Sequence, residues 1–207
     1  MHNKQTDKII IGLTGQSGAG KSVIASVFSK RGFLIVDADK VARQVTSDVN
    51  VVQKLVTLFG QDVATNDNLN RQVLANIVFS DKTQLHKMNE LLFPIICDKM
   101  LEIANKSNYT YVLFDAPQLF ESGLNELCQK VIAVVAPHDI LIERITRRDG
   151  ITVELAEKRI ASQLPVEFFQ KNADYVVNST SEHHEWINDI NDIINQITET
   201  GYDVFDF

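Results

Sequence analysis

The chain has 207 residues, of which 44% are hydrophobic, and a formal net charge of −7. That is enough apolar material for one well-buried domain with an elaboration or two, and the acidic balance argues against nucleic acid or an anionic membrane as partner, so any anionic ligand has to be met by local cations. No apolar run approaches the roughly 20 residues of a membrane-spanning helix, and the polar start "MHNKQTDK", which has no apolar signal core, sets the expectation of a cytoplasmic protein.

Ile9 to Thr14 is short, β-branched and continuously apolar, as in a strand buried on both faces of a parallel sheet. After the segment "GQSGAGKS", the stretch "KSVIASVFSKRG" predicts a helix with Ile24, Val27, Phe28 and Arg31 on one stripe and Gly32 at its end. "FLIVD" predicts a second strand and "ADKVARQVTS" a helix. From about residue 47 to residue 107 the apolar spacing is helical throughout and no strand is expected. "YTYVLFD" and "KVIAVVA" are the next strands. "HDILIERITRRDG" predicts a helix ending at Gly150, and "TVELAEKRIASQ" another before Pro165. "ADYVVN" is a fifth, short strand, and "SEHHEWINDINDIINQITET" closes the pattern as an amphipathic helix with Trp186, Ile187, Ile190, Ile194 and Ile197 on its apolar side.

Strands that alternate with helices predict an α/β fold, a doubly wound five-stranded parallel sheet joined by crossover helices. The expected organisation is one domain over residues 1–207. Residues 40–107 form an inserted helical substrate-binding piece that caps the carboxyl edge of the sheet, and residues 140–170 form a lid. Cys97 and Cys128 lack the close pairing of zinc ligands or a redox pair and read as buried free thiols. The adjacent His183 and His184 cannot share one helical face and read as surface residues rather than metal ligands. The oligomeric state and the role of the acidic, aromatic tail "GYDVFDF" are not legible.

Gly15, Gly20, Lys21 and Ser22 satisfy the pattern G-x-x-x-x-G-K-[ST], with a strand before it and a helix after it. Such a loop curls its backbone N–H groups around a phosphate, and the candidate nucleotide contacts are Gly15, Ser17, Gly18, Ala19, Gly20, Lys21, Ser22 and Val23. Lys21 would bridge the β- and γ-phosphates of ATP, and the Ser22 hydroxyl would ligate Mg²⁺. A GTPase would also need an N-K-x-D guanine reader; the two "NK" pairs, in "NKQT" and "NKSN", lack its aspartate.

The acceptor side is expected where the second strand meets the sheet edge, at Asp37 and Asp39 in "VDADKVAR". A carboxylate there can orient an acceptor hydroxyl and take its proton. Two residues apart in extended chain, both would point to the same face, with Asp39 preferred as the base; the alternatives for the other are that it aims the first or, for Asp37, that it caps the following helix. Asp115 ends the third strand, where it either serves Mg²⁺, directly or through water, or is structural. "ERITRRDG" sets Arg144 and Arg148 four apart on one helical face. This suits a lid that brings guanidinium groups to a transferring phosphoryl, or a solvated basic face.

With these motifs in hand, the sequence resembles the dephospho-CoA kinase family from residue 9 to about residue 178. The resemblance rests on "IGLTGQSGAGKS", "VDADKVARQV", "NLNRQVL", "LFDAPQLFE", "RITRRDG" through "KRIASQ", and "ADYVVN". It implies a P-loop NTPase fold with a helical substrate domain and lid. It also implies transfer of the γ-phosphate of ATP to the ribose 3′-hydroxyl of dephospho-CoA, the last step of coenzyme A synthesis. By that resemblance Asp39 is the general base, and Lys21, Ser22 and Arg144 contact phosphates or Mg²⁺. Asp37, Arg43 and Arg71 fall on the substrate side, Arg148 holds substrate or ATP, and Asn178 lies near the adenine. The chain departs from the family pattern at Gln16, at Gln118, in the lack of a glycine soon after Asn178, and at Phe93, which precedes Pro94 where the family usually has histidine. The alternatives are a P-loop kinase for another small hydroxyl acceptor and a nucleotide-binding regulator that has lost transfer.

Overall fold

A computed structural model describes residues 8–180 and 185–199. In chain order the elements are β1 (Ile9–Gly15), α1 (Lys21–Lys30), β2 (Leu34–Asp37), α2 (Ala38–Val45), α3 (Val49–Phe59), β3 (Ala64–Thr65), β4 (Asn68–Leu69), α4 (Arg71–Ser80), α5 (Lys82–Lys106), β5 (Tyr111–Asp115), β6 (Lys130–Val135), α6 (His138–Asp149), α7 (Val153–Ala161), α8 (Val166–Asn172), β7 (Tyr175–Asn178) and α9 (Glu185–Glu199). Two compact units result: a sheet unit, built from the chain up to Val36 and from Ser107 onward, and a helical unit, Asp37–Lys106.

The five-stranded parallel sheet has the order β2-β5-β1-β6-β7. β1 is its middle strand, flanked by β5 and β6, and all seven of its residues are buried. That position explains the unbroken apolar run, because neither face of the strand meets water. Side chains alternate across the sheet. Ile132 and Val134 of β6 join one large cluster with Ile24 and Phe28 of α1, Leu141 and Ile145 of α6, and Trp186, Ile190 and Ile194 of α9. Ala133 and Val135 face the other way, onto Phe169 of α8 with Phe120 and Phe168 beside it. Helices on both faces make the sheet doubly wound.

The register aligns the strand ends. Leu13 lies opposite Asp115, Gly15 opposite Val134, and Val135 opposite Asn178. The phosphate loop, Asp115 and Asn178 therefore all leave the sheet at its carboxyl edge, where ligands of open α/β sheets bind.

Three local expectations need correction. Arg31 is not part of the α1 stripe: it is exposed past the last helical turn, where its guanidinium donates to Asn191 and Asn195 of α9 at 3.2 Å each. The buried stripe is Ile24, Ala25 and Phe28. The segment from 47 to 107 is not strand-free, because β3 and β4 pair as a two-residue antiparallel hairpin. Its turn residues Asn66 and Asp67 sit at φ 50° and 61°, a left-handed conformation that Asn and Asp tolerate better than most residues. α8 is a helix that the pattern did not predict.

In the helical unit, Asp48 caps α3 by accepting from Asn50 N–H (2.8 Å), and Asn70 caps α4 by accepting from Val73 N–H (3.3 Å). α5 packs against α2 and α4 and buries Leu92, Ile96, Met100, Leu101 and Ala104. No helix among the described residues is long and apolar enough to cross a membrane. His183, His184 and the tail from Gly201 lie outside the described residues.

Candidate active site

Three glycines at positive φ shape the loop between β1 and α1: Gly15 at 132°, Gly18 at 82° and Gly20 at 93°. At Gly15 the requirement is doubled, because a Cβ there would stand 2.0 Å from the Val134 carbonyl oxygen of the neighbouring strand. Backbone cannot yield as a flexible side chain can. Gly15→Ala is therefore expected to destabilise the protein by about 3 kcal/mol, the upper end for overpacking. A thermal melt within 2 °C of the parent, on the scale of roughly 2–4 °C per kcal/mol for a domain of this size, would contradict the close approach.

The loop closes on itself through Ala19 N–H, which donates to Gln16 O at 3.1 Å. Lys21, the first residue of α1, reaches back over the loop and donates from Nζ to Gly15 O (2.6 Å) and Gln16 O (3.2 Å). Gly20 occupies the cap position of α1 in a left-handed conformation, with no side chain capping the helix. No side chain therefore screens the positive end of the helix dipole, which faces the loop, while Val23 N–H donates to the Gly20 carbonyl at 3.1 Å. Ser22 and Val23 are exposed in that first turn. Gln16 is buried, at 7% exposure.

Side chains from beyond β6 grip the outer side of the loop. Arg144 of α6 donates to Gly18 O (3.3 Å), Ser179 Oγ (2.7 Å) and Thr180 O (3.4 Å). Gln163, just past α7, accepts from Ser17 N–H through Oε1 at 2.9 Å. Arg148 donates to Ser17 Oγ at 3.4 Å and makes a two-pronged contact with Asp149 at 2.7 and 2.9 Å. Arg159 also binds Asp149. Arg148, then Arg159, hold the Asp149 carboxyl well below the usual carboxylate range, and Asp149 in turn raises Arg148. Asp149 is thus a fixed anion that holds two guanidinium groups next to the loop. Asn178, at the end of β7, is exposed.

Asp37, Asp39, Arg43 and Arg71 belong to the helical unit. The expectation that Asp37 and Asp39 share a face of extended chain fails, because the strand stops at Asp37 and Asp39 is already in the first turn of α2. Asp37 caps that helix, accepting from Lys40 N–H at 3.0 Å and pairing with Lys40 Nζ at 3.3 Å. The Asp39 carboxylate is exposed and takes no hydrogen bond or ion pair among the described residues. Arg43 and Arg71 lie together, with Arg71 donating to the Arg43 carbonyl at 3.3 Å. Phe93 is half-buried on α5.

Cys97 and Cys128 are half-buried thiols outside any disulfide, and burial pushes the Cys97 thiol up to about 11, which leaves it unreactive. Ser179 and Gln163, which hold the loop directly, were not singled out from the sequence. Their partners are 160 and 146 residues away, beyond the reach of any local spacing pattern. The only signal was position, one following the last strand and the other closing the lid segment.

Comparison with known proteins agrees with this geometry. The family model for dephospho-CoA kinase matches residues 9–185. A dephospho-CoA kinase of Fusobacterium nucleatum is 37% identical over 174 residues, covering 84% of this chain and 90% of that protein. Among solved structures, dephospho-CoA kinase from Campylobacter jejuni superposes with a TM-score of 0.68 at 26% identity, over 94% of this chain and 99% of that one. TT1252 from Thermus thermophilus superposes with a TM-score of 0.80 at 27% identity, over 91% and 97%. With a nucleotide cradle of this form and a family match over most of its length, the chain belongs to the dephospho-CoA kinase family, which phosphorylates dephospho-CoA in the last step of coenzyme A synthesis.

Proposed function

We propose that the protein transfers the γ-phosphate of ATP to the ribose 3′-hydroxyl of dephospho-CoA, with Lys21 and the loop amides holding the triphosphate and Asp39 taking the hydroxyl proton. The observation that carries this reading is the loop itself, with its glycines at the required positive φ, its lysine folded over it and an uncapped helix behind it. Phosphoryl transfer depends chiefly on position and charge neutralisation, and cations and amides fixed before substrate arrives supply both without reorganising.

Ser22 and Asp115 offer the hard oxygen donors that suit Mg²⁺, which when bound would neutralise charge on the β- and γ-phosphates. Asp37, Arg43 and Arg71 support the acceptor, in a helical unit read as the substrate-binding piece. Arg144 and Arg148 belong to a lid over residues 140–170, which would exclude water and so limit idle ATP hydrolysis. Asn178 is read as the adenine-side residue. The compartment is taken as the cytoplasm, because ATP is the donor.

The test is ADP release with Mg²⁺ and ATP in the presence of dephospho-CoA, nucleosides, nucleoside monophosphates or sugar acids, with the product identified by mass. Dephospho-CoA alone is expected to raise ADP release and to gain one phosphate. Turnover with a different acceptor would keep the kinase and discard this acceptor. ATP binding without turnover on any of them would favour a silent nucleotide-binding protein.

A further inference from the structure

Ser179, the residue after β7, has only 3% of its surface exposed. Its N–H donates to Val135 O at 2.8 Å. Its hydroxyl donates to Ala19 O at 2.6 Å and accepts from Arg144 at 2.7 Å. A serine hydroxyl has one proton to give, and here it goes to the phosphate loop, leaving a lone pair for the guanidinium. One buried residue thus joins the end of β6 through its backbone to the loop and α6 through its hydroxyl.

The direction of the first bond matters. No peptide among the described residues is cis, so the Ala19 carbonyl and the Gly20 N–H point in opposite directions within their shared plane. Holding the carbonyl outward through Ser179 sets the Gly20 N–H the other way, and that N–H donates to no group among the described residues. Arg144 braces the preceding Gly18 carbonyl at 3.3 Å while it is itself held by Ser179. At φ 93° Gly20 has no Cβ to hold its own orientation, so the restraint comes from outside the loop.

We propose that Ser179 is a positioning residue for the nucleotide: it locks the Ala19–Gly20 peptide so that the Gly20 N–H meets a phosphate oxygen, and it fixes Arg144 against the back of the loop. This rests on the reading of residues 15–22 as the ATP cradle. It does not depend on which acceptor is used.

The test uses the full chain carrying Ser179→Ala, Ser179→Thr, Arg144→Gln, or both Ser179→Ala and Arg144→Gln. ADP affinity is read by titration calorimetry, and KM for ATP is compared with KM for dephospho-CoA. Loss of a hydrogen bond to a charged partner predicts that Ser179→Ala weakens ADP binding and raises KM for ATP by about tenfold, with KM for dephospho-CoA within about twofold of the parent. Because the two side chains act as one unit, the double variant should be no more than about twofold worse than the poorer single one. Ser179→Thr, which keeps the hydroxyl, should recover most of the loss. Unchanged ADP affinity in Ser179→Ala, fully multiplicative losses in the double variant, or a Ser179→Thr protein as weak as the alanine one would each overturn the proposal. If Ser179→Ala does not fold, Ser179→Thr and Arg144→Gln decide by the same ADP titration: affinity retained in the first and lost in the second supports the proposal, and any other pairing overturns it. A parent protein that binds ADP but never phosphorylates dephospho-CoA would defeat the acceptor reading alone and leave this comparison intact.

Discussion

Lys21→Ala is expected to lower turnover by about 10²- to 10³-fold at saturating ATP and acceptor, the range seen when one fixed donor to developing charge is removed. The ammonium is the one side-chain cation within the loop sequence of residues 15–22, and it is already held over the loop by the Gly15 and Gln16 carbonyls. Charge neutralisation on the phosphates therefore needs little rearrangement of the side chain, and a neutral methyl cannot replace it. Folding should survive, because Lys21 begins α1 and alanine is at least as good a helix former. The thermal melt should stay within a few degrees of the parent while the rate collapses. An unchanged rate with saturating ATP would contradict the cradle reading, and a collapsed melt would show that the lysine is needed for structure instead.

What the sequence disclosed and what it hid follow from how far each contact reaches. β1 was legible because a strand buried on both faces carries an unbroken apolar run, and the loop after it because the curl around a phosphate fixes residue types at fixed spacing. α8 was not. Its seven residues are too few for a helical period to stand out, and its adjacent Phe168 and Phe169 both turn inward, Phe169 onto β6 and Phe168 beside Phe120. The hairpin of β3 and β4 escaped for the same reason, at two residues per strand. Ser179, Gln163 and the Asp149 hub depend on tertiary contacts that no spacing rule encodes. Asp37 and Asp39 show a subtler limit, because their spacing carries opposite meanings in strand and helix, and the strand ends between them.

That boundary gives the two carboxylates different jobs, and the larger effect is expected at the second. Asp37 is committed to the Lys40 N–H and ammonium, so Asp37→Ala should remove a helix cap and cost about 1 kcal/mol of stability. Asp39 has no such commitment: it is exposed, unpaired among the described residues, and seated in the first turn of α2. Lys40 does not quench it, since Asp37 already holds that ammonium. A carboxylate kept free in this way is what proton acceptance from a substrate hydroxyl requires. Asp39→Asn is isosteric and leaves the cap alone, so the melt and ADP affinity should match the parent while turnover falls by about 10²- to 10⁴-fold, the span of a lost acid-base group. Near-normal turnover would remove Asp39 from the role and turn attention to Asp37. A parallel loss of ADP affinity would instead mean that the substitution acts on nucleotide binding, and the proton acceptor would have to be sought elsewhere on the helical unit.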